Sequence, residues 1–117
     1  MQSILLIEGD ESRAIALKLA AERMGAKLYD YAQVDNLDYF IHDLSPSLIM
    51  INAEQFQDEL VVIFGLVSTQ DMAVMLYGPE EKLPASIIEQ WGATLKISYE
   101  KFPLRPLELF KRIIENG

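Results

Sequence analysis

Ile4-Leu5-Leu6-Ile7-Glu8-Gly9-Asp10 decides the reading of this chain. Four apolar residues in a row, with no polar alternation, suit a strand covered on both faces, as in a parallel sheet between two layers of helices. The run ends on acids around a glycine, the composition of a strand end that opens onto solvent. Leu48-Ile49-Met50-Ile51 repeats the pattern and ends at Asn52, and Ala73 to Tyr77 repeats it again before Gly78-Pro79 turns the chain. Between these runs the periodicity changes. Asp10 and Ser12 are candidate caps for a helix reaching Met24, with Ile15, Leu19 and the Ala16/Ala20 pair expected on its inner side. Gly25 stands where a helix end favours a left-handed residue.

Lys27 to Tyr31 is expected as a short second strand. Asp35 or Asn36 then caps a helix through Leu44, whose Leu37, Phe40, Ile41 and Leu44 recur at i, i+3, i+4 and i+7. Glu59 to Ser68 is the hard segment. Leu60-Val61-Val62-Ile63-Phe64 has strand propensity, but its place between two strands requires a crossover, so it is read as a helix. Pro84 suits the first turn of a short helix ending at Trp91-Gly92. Thr94 to Ser98 is expected as the fifth strand, and Pro106 opens a last helix carrying Leu107, Phe110, Ile113 and Ile114. The expectation is one α/β domain over residues 1–117, a doubly wound, five-stranded parallel sheet of flavodoxin-like (βα)5 type, with right-handed crossovers. In such folds the working crevice lies beyond the C-terminal ends of the strands.

Eighteen acids face ten bases, a formal net charge of -8, with no cluster of Lys and Arg. That argues against nucleic acid and against anionic membrane surfaces as partners. The absence of cysteine excludes disulfides, thiolate metal sites and a Cys nucleophile. The first apolar run is too short for a signal-peptide core, and the longest, Leu60 to Val67, is far short of the about 20 residues of a membrane helix. A cytoplasmic location is the expectation.

The order of elements and the strand ends together resemble the receiver (CheY-like) domain of two-component response regulators, over nearly the whole chain. Ile4 to Asp10 is similar to the family's first strand with its acidic cluster. Pro46-Ser47-Leu48-Ile49-Met50-Ile51-Asn52 resembles the segment that delivers the phosphoacceptor Asp. Ala73-Val74-Met75-Leu76-Tyr77-Gly78 resembles the fourth strand, and Gly92-Ala93 with Pro103-Leu104-Arg105-Pro106-Leu107-Glu108-Leu109 resembles the family's ending. The resemblance implies the strand order 2-1-3-4-5.

The functional positions depart from that family. Its paired metal-holding acids read Glu8-Gly9 here, with Asp10 next along. Its nucleophilic Asp falls on Asn52, and a carboxamide cannot form an acyl phosphate. Its Thr or Ser falls on Tyr77, whose ring is expected to carry the hydroxyl several ångströms farther out. Its Lys falls on Phe102 if Pro103 is matched. Lys101 is one residue earlier, pointing to the other face if it lies on the strand, or reaching the pocket if a loop carries it. These departures describe a degenerate pseudo-receiver, neither an enzyme nor a phosphorylated switch, acting as a protein-protein interaction module in signal transduction.

No cofactor and no metal are expected. One glycine among acids after strand one opposes a phosphate-binding loop, although Glu8, Asp10 and Glu11 together are a weak candidate for a cation. His42 reads as a surface histidine, and Ser45, Ser47 and Ser68 lack a hydrolase context. The alternative reading is a small-molecule or ion-binding domain that uses the crevice. The expected partners are proteins, a second copy of the chain included. The family's output face corresponds to Lys82, Glu89, Tyr99, Glu100 and Lys101. The apolar helix from Glu59 to Ser68, with Val62 and Phe64, is either buried under its neighbours or a contact surface.

Overall fold

The computed structural model describes residues 2–31 and 35–116. Strand β1 (Ser3–Ile7) is followed by α1 (Glu11–Arg23), β2 (Lys27–Asp30), α2 (Leu37–Leu44) and β3 (Leu48–Asn52). Then come α3 (Leu60–Val67), β4 (Ala73–Gly78), α4 (Ala85–Trp91), β5 (Ile97–Lys101) and α5 (Pro106–Asn116). The five strands are parallel, in the order β2-β1-β3-β4-β5, as expected.

Every side chain of β1 from Ile4 to Ile7, and of β3 from Leu48 to Asn52, is buried. The alternation of side chains across the strands sorts them between two cores. Leu5, Ile7, Ile49, Ile51, Val74 and Leu76 face α2 and α3. Ile4, Leu6, Met50, Met75 and Tyr77 face α1 and α5. Burial of each such aliphatic side chain is worth about 1.5–3 kcal/mol, and displacing a strand by one residue would exchange its side chains between the two cores.

The register decides where function can sit. Ile7 pairs with Ile51 and Asn52 pairs with Tyr77. Glu8, one residue past β1, therefore comes level with Asn52 and Tyr77, and the period of two turns all three side chains toward α1 and α5.

Several expectations are corrected. The inner stripe of α1 is Ala14, Leu17, Ala20 and Ala21, while Ile15 and Leu19 are 51% and 58% exposed. Alanines flank Leu17 at the contact and let the helix lie close on the sheet, while Ile15 and Leu19 point away. Strand β5 begins at Ile97, not Thr94, because residues 92–95 are used in turning back from α4: the Thr94 and Leu95 N–H groups both donate to the Trp91 carbonyl. Asn36 takes the N-cap position of α2 with a φ of +61° and no side-chain cap bond. Leu107 of α5 is exposed, and Leu109 is buried beside Phe110. Other expectations hold. Asp10 caps α1 by accepting from the Arg13 N–H at 3.1 Å, a contribution of about 1 kcal/mol. Gly25 follows α1 with a φ of +87°, a conformation that costs other residues a Cβ clash.

Helix α3 forms despite its strand propensity, because the crossover buries Leu60, Ile63, Phe64 and Val67. Its outer face leaves Val61 and Val62 more than half exposed. Phe64 is wholly buried and meets Trp91 edge-on, with ring centroids 6.1 Å apart. It belongs to the core and cannot be a contact residue, which corrects that half of the Val62 and Phe64 pair. Among the described residues, no helix is long and apolar enough to cross a membrane.

Candidate functional site

Glu8 and Asn52 are the buried polar side chains among the described residues. Removing a carboxylate from water is costly unless donors replace the water. Glu8 is supplied from four directions. Its Oε1 accepts from the Tyr77 hydroxyl at 2.9 Å, from Asn52 Nδ2 at 3.1 Å and from Arg13 Nη1 at 3.3 Å. Its Oε2 accepts from the Asp10 N–H at 2.9 Å, with Asn52 Nδ2 also 3.4 Å away.

The orientation of the Asn52 amide follows from its other end. Asn52 Oδ1 accepts from the Glu54 and Gln55 N–H groups at 3.1 and 3.2 Å. The amide nitrogen must then face Glu8. Gln55 closes the mouth from above, its Oε1 accepting from the Gly9 N–H at 2.7 Å. A Cβ at Gly9 would stand 3.2 Å from that oxygen, so the missing second acid leaves room for the Gln55 side chain.

Tyr77 corrects the sequence expectation. Its ring lies wholly inside the α1/α5 core, and its hydroxyl meets Glu8 instead of lying farther out. Burial, then the charge of Glu8 and the hydrogen bond to it, hold the phenol protonated far above the usual tyrosine range, and Arg13 opposes them. Phe102 packs on Tyr77 with centroids 6.3 Å apart. The Arg13 guanidinium lies 4.7 Å from the centre of the Phe102 ring while reaching Glu8. A cation over an aromatic face is worth about 0.5–2 kcal/mol, more as water is excluded.

Lys101 ends β5 opposite Gly78 and is exposed, its Nζ 3.9 Å from Glu80 Oε2. It does not enter the pocket. The pocket's cation is Arg13, which sequence reading passed over. The available signal was a base in the first turn of α1, where the helix dipole favours acids.

The family resemblance implies Mg²⁺ at this place, and the residues present do not fit it. Gly9 offers no ligand, and Asp10 Oδ1 is engaged as the helix cap. Both oxygens of Glu8 and the one oxygen of Asn52 already accept N–H or O–H donors. A divalent ion would also meet the Arg13 charge. Among the described residues no group of three or more His, Asp or Glu side chains is placed to hold a metal ion; Glu11 is exposed at the start of α1 and takes no part in the network.

The remaining interface candidates are spread over the α4 and β5 side. Lys82 and Glu89 are exposed. Tyr99 is half-buried and donates to the Pro79 carbonyl at 2.7 Å. Its phenol is raised by burial and by Glu81, Glu54 and Glu80. Glu100 is held by Arg112 at 2.9 Å. His42 is exposed, as expected.

No protein-family model and no curated protein matches the sequence. Solved structures do match in fold. A response regulator from Thermotoga maritima superposes with a TM-score of 0.78 at 15% identity, covering 98% of this chain and 96% of that one. The signal receiver domain of a DNA binding response regulator from Colwellia psychrerythraea 34H gives 0.77 at 20% identity, covering 99% and 98%. A CheY-like protein (tadZ) from Pseudomonas aeruginosa PAO1 gives 0.74 at 15% identity over the whole of both chains. The chain therefore has the receiver fold.

Proposed function

We propose that this chain is a degenerate receiver that takes part in signal transduction by binding other proteins, without passing through an acyl phosphate and without catalytic activity of its own. One observation carries the proposal: the Glu8 carboxylate and the Asn52 carboxamide are hydrogen-bonded to each other at the strand ends, where a receiver would need an exposed nucleophile. The donors around the site are already engaged, the Tyr77 hydroxyl and Arg13 with Glu8 and the Glu54 and Gln55 N–H groups with Asn52 Oδ1. Tyr77 is already turned inward, its hydroxyl donating to Glu8. A switch needs two arrangements of comparable energy that its ligand distinguishes. A network whose members each have partners favours one. Signalling then depends on which surfaces are presented, and the absence of cysteine accords with a reducing cytoplasm.

The crevice-binding alternative lacks support of this kind, since Gln55 spans the mouth and the carboxylate inside is engaged. The test is incubation with acetyl phosphate and Mg²⁺ followed by intact-mass measurement. The proposal expects an unchanged mass. A phosphoryl adduct on the residues around Asn52 overturns it.

A further inference from the structure

Strand β2 ends one side of the sheet. Its ladder to β1 shows which backbone groups are left on the open edge. The Lys27 N–H donates to the Gln2 carbonyl at 2.9 Å and the Tyr31 N–H to the Leu6 carbonyl at 2.7 Å, with Tyr29 level with Leu5 between them. Lys27, Tyr29 and Tyr31 thus turn their backbone groups to β1. Alternation along the strand turns the N–H and C=O of Leu28 and Asp30 outward. An edge with donors and acceptors in a row is a template for another strand.

The surroundings of this edge carry both signs of charge. The edge lies in a hollow of about 320 Å³ between α1 and α2, lined by Tyr29, Tyr31 and Phe40 and by Lys18 and Glu22. Phe40 packs on Tyr31 with ring centroids 4.4 Å apart, and the Lys27 Nζ lies 5.3 Å from the centre of the Tyr29 ring. Lys18, Glu22, Lys27 and Asp30 are exposed, and among the described residues none of them is in an ion pair.

We infer that the β2 edge is a self-association site, pairing antiparallel with β2 of a second copy about a two-fold axis at Tyr29. Register is the first argument for this occupant. With Tyr29 opposite Tyr29, Leu28 falls opposite Asp30 of the other copy, and Asp30 opposite its Leu28. Both are hydrogen-bonded pairs that exchange two backbone bonds, so the outward groups of both copies all find partners. Charge is the second argument. A two-fold axis perpendicular to the sheet keeps both α1 helices on one face, antiparallel and two to three strand spacings apart, about 10–14 Å. Lys18 and Glu22 stand one turn apart on α1, so the reversal sets Lys18 toward Glu22 of the other copy, twice over by symmetry. Lys27 comes opposite Tyr31 of the other copy, a cation against a ring. The net charge of -8 opposes association over a screening length of only about 8 Å at physiological ionic strength. The inference goes beyond the reading above, since the edge is the same whether or not the pocket accepts phosphate.

The experiment is sedimentation equilibrium of the intact chain at physiological salt up to about 1 mM, with amide hydrogen exchange followed at low and high concentration. The inference expects the mass to double with concentration, and the Leu28 and Asp30 amides to exchange more slowly only where the dimer is populated. Asp30→Pro removes an outward donor at an edge position that tolerates proline and should weaken the dimer about tenfold or more. Lys18→Glu should weaken it about fivefold or more, and adding Glu22→Lys should restore the parent's affinity, because the pair is then only exchanged. Unchanged urea midpoints establish that the variants fold, and the exposed charge pair carries the test if Asp30→Pro does not. A chain that stays monomeric to about 1 mM overturns the inference, whatever other strand the edge takes up. So does a dimer that leaves the Leu28 and Asp30 amides unprotected, is indifferent to Asp30→Pro, or is not rescued by the charge exchange. A phosphoryl adduct from acetyl phosphate defeats the degenerate-receiver reading alone and leaves this result standing.

Discussion

Replacing Asn52 by Asp restores the phosphoacceptor type and sets two carboxyl groups against each other. The perturbed contact is the 3.1 Å bond from Asn52 Nδ2 to Glu8 Oε1, between residues that are 0% and 2% exposed. Coulomb's law at an effective dielectric constant of about 20 gives roughly 5 kcal/mol of repulsion at that separation. The pair escapes most of it by keeping one proton between the two groups, at the cost of a raised apparent pKa. The raised folded-state value fixes the sign. Below the unfolded carboxyl range, near pH 4, both states are protonated and the shared proton serves as the lost amide donor did. As the pH rises through the pair's apparent pKa, the unfolded chain releases protons that the folded chain retains, and stability falls. Asn52→Asp should therefore be less stable than the parent by about 3 kcal/mol near neutral pH, and by half of that or less near pH 5. Urea unfolding at both pH values, with parent and variant side by side, measures it. A variant as stable as the parent at neutral pH, or a difference independent of pH, would refute the buried Glu8–Asn52 pairing.

Three further outcomes follow from the same contacts. Tyr77→Phe removes a buried donor to a charged acceptor and should cost about 1.5–3 kcal/mol in urea unfolding; because the folded-state Tyr77 stays protonated while the unfolded one ionises near pH 10, the parent should lose about 1.4 kcal/mol per pH unit above that point, and the variant should lack this component. Arg13→Ala leaves Glu8 without its cation and uncovers Phe102, for an expected loss of about 1–3 kcal/mol, with Arg13→Lys recovering only part because a lysine cannot both stack flat and reach the carboxylate. Phe64→Ala should cost about 3–5 kcal/mol through the cavity it leaves beside Trp91, whereas Val62→Glu, on the exposed side of the same helix, should stay within about 0.5 kcal/mol; equal effects would contradict the assignment of Phe64 to the core.

The parallel sheet was legible because its strands announce themselves twice, by unbroken apolar runs and by where those runs stop. Ile7 before Glu8 and Ile51 before Asn52 set the level of the site in the sequence itself. Helix α3 was legible only from its place between strands, since burial of Leu60, Ile63, Phe64 and Val67 overrode its propensity. What escaped depended on packing distance. Ala14 and Ala21 outrank Ile15 and Leu19 on the inner side of α1 because closeness to the sheet matters there more than hydrophobic size. The start of β5 was missed because Thr94 and Leu95 are consumed by a turn that no Gly-Pro pair marks. At the site, the loss of the nucleophile and of one acid could be read directly. The role of Arg13 was harder to read, because although Glu8 is only five residues away, the guanidinium is held over the ring of Phe102, a residue distant in sequence.

If the chain's own Glu8 fills the pocket at the strand ends, a phosphoryl mimic finds no room there. The most direct measurement is a nuclear magnetic resonance titration of the labelled chain with Mg²⁺ and beryllofluoride, following the amides of Gly9, Asp10, Glu54 and Gln55. Glu8 or Asn52 already holds all of them except Gly9, which is bonded to Gln55. The account predicts that these resonances stay where they are at saturating ligand. Saturable shifts of these amides, with broader changes along β4 and β5, would mean that the pocket opens to a phosphoryl mimic and that Glu8 does not close it.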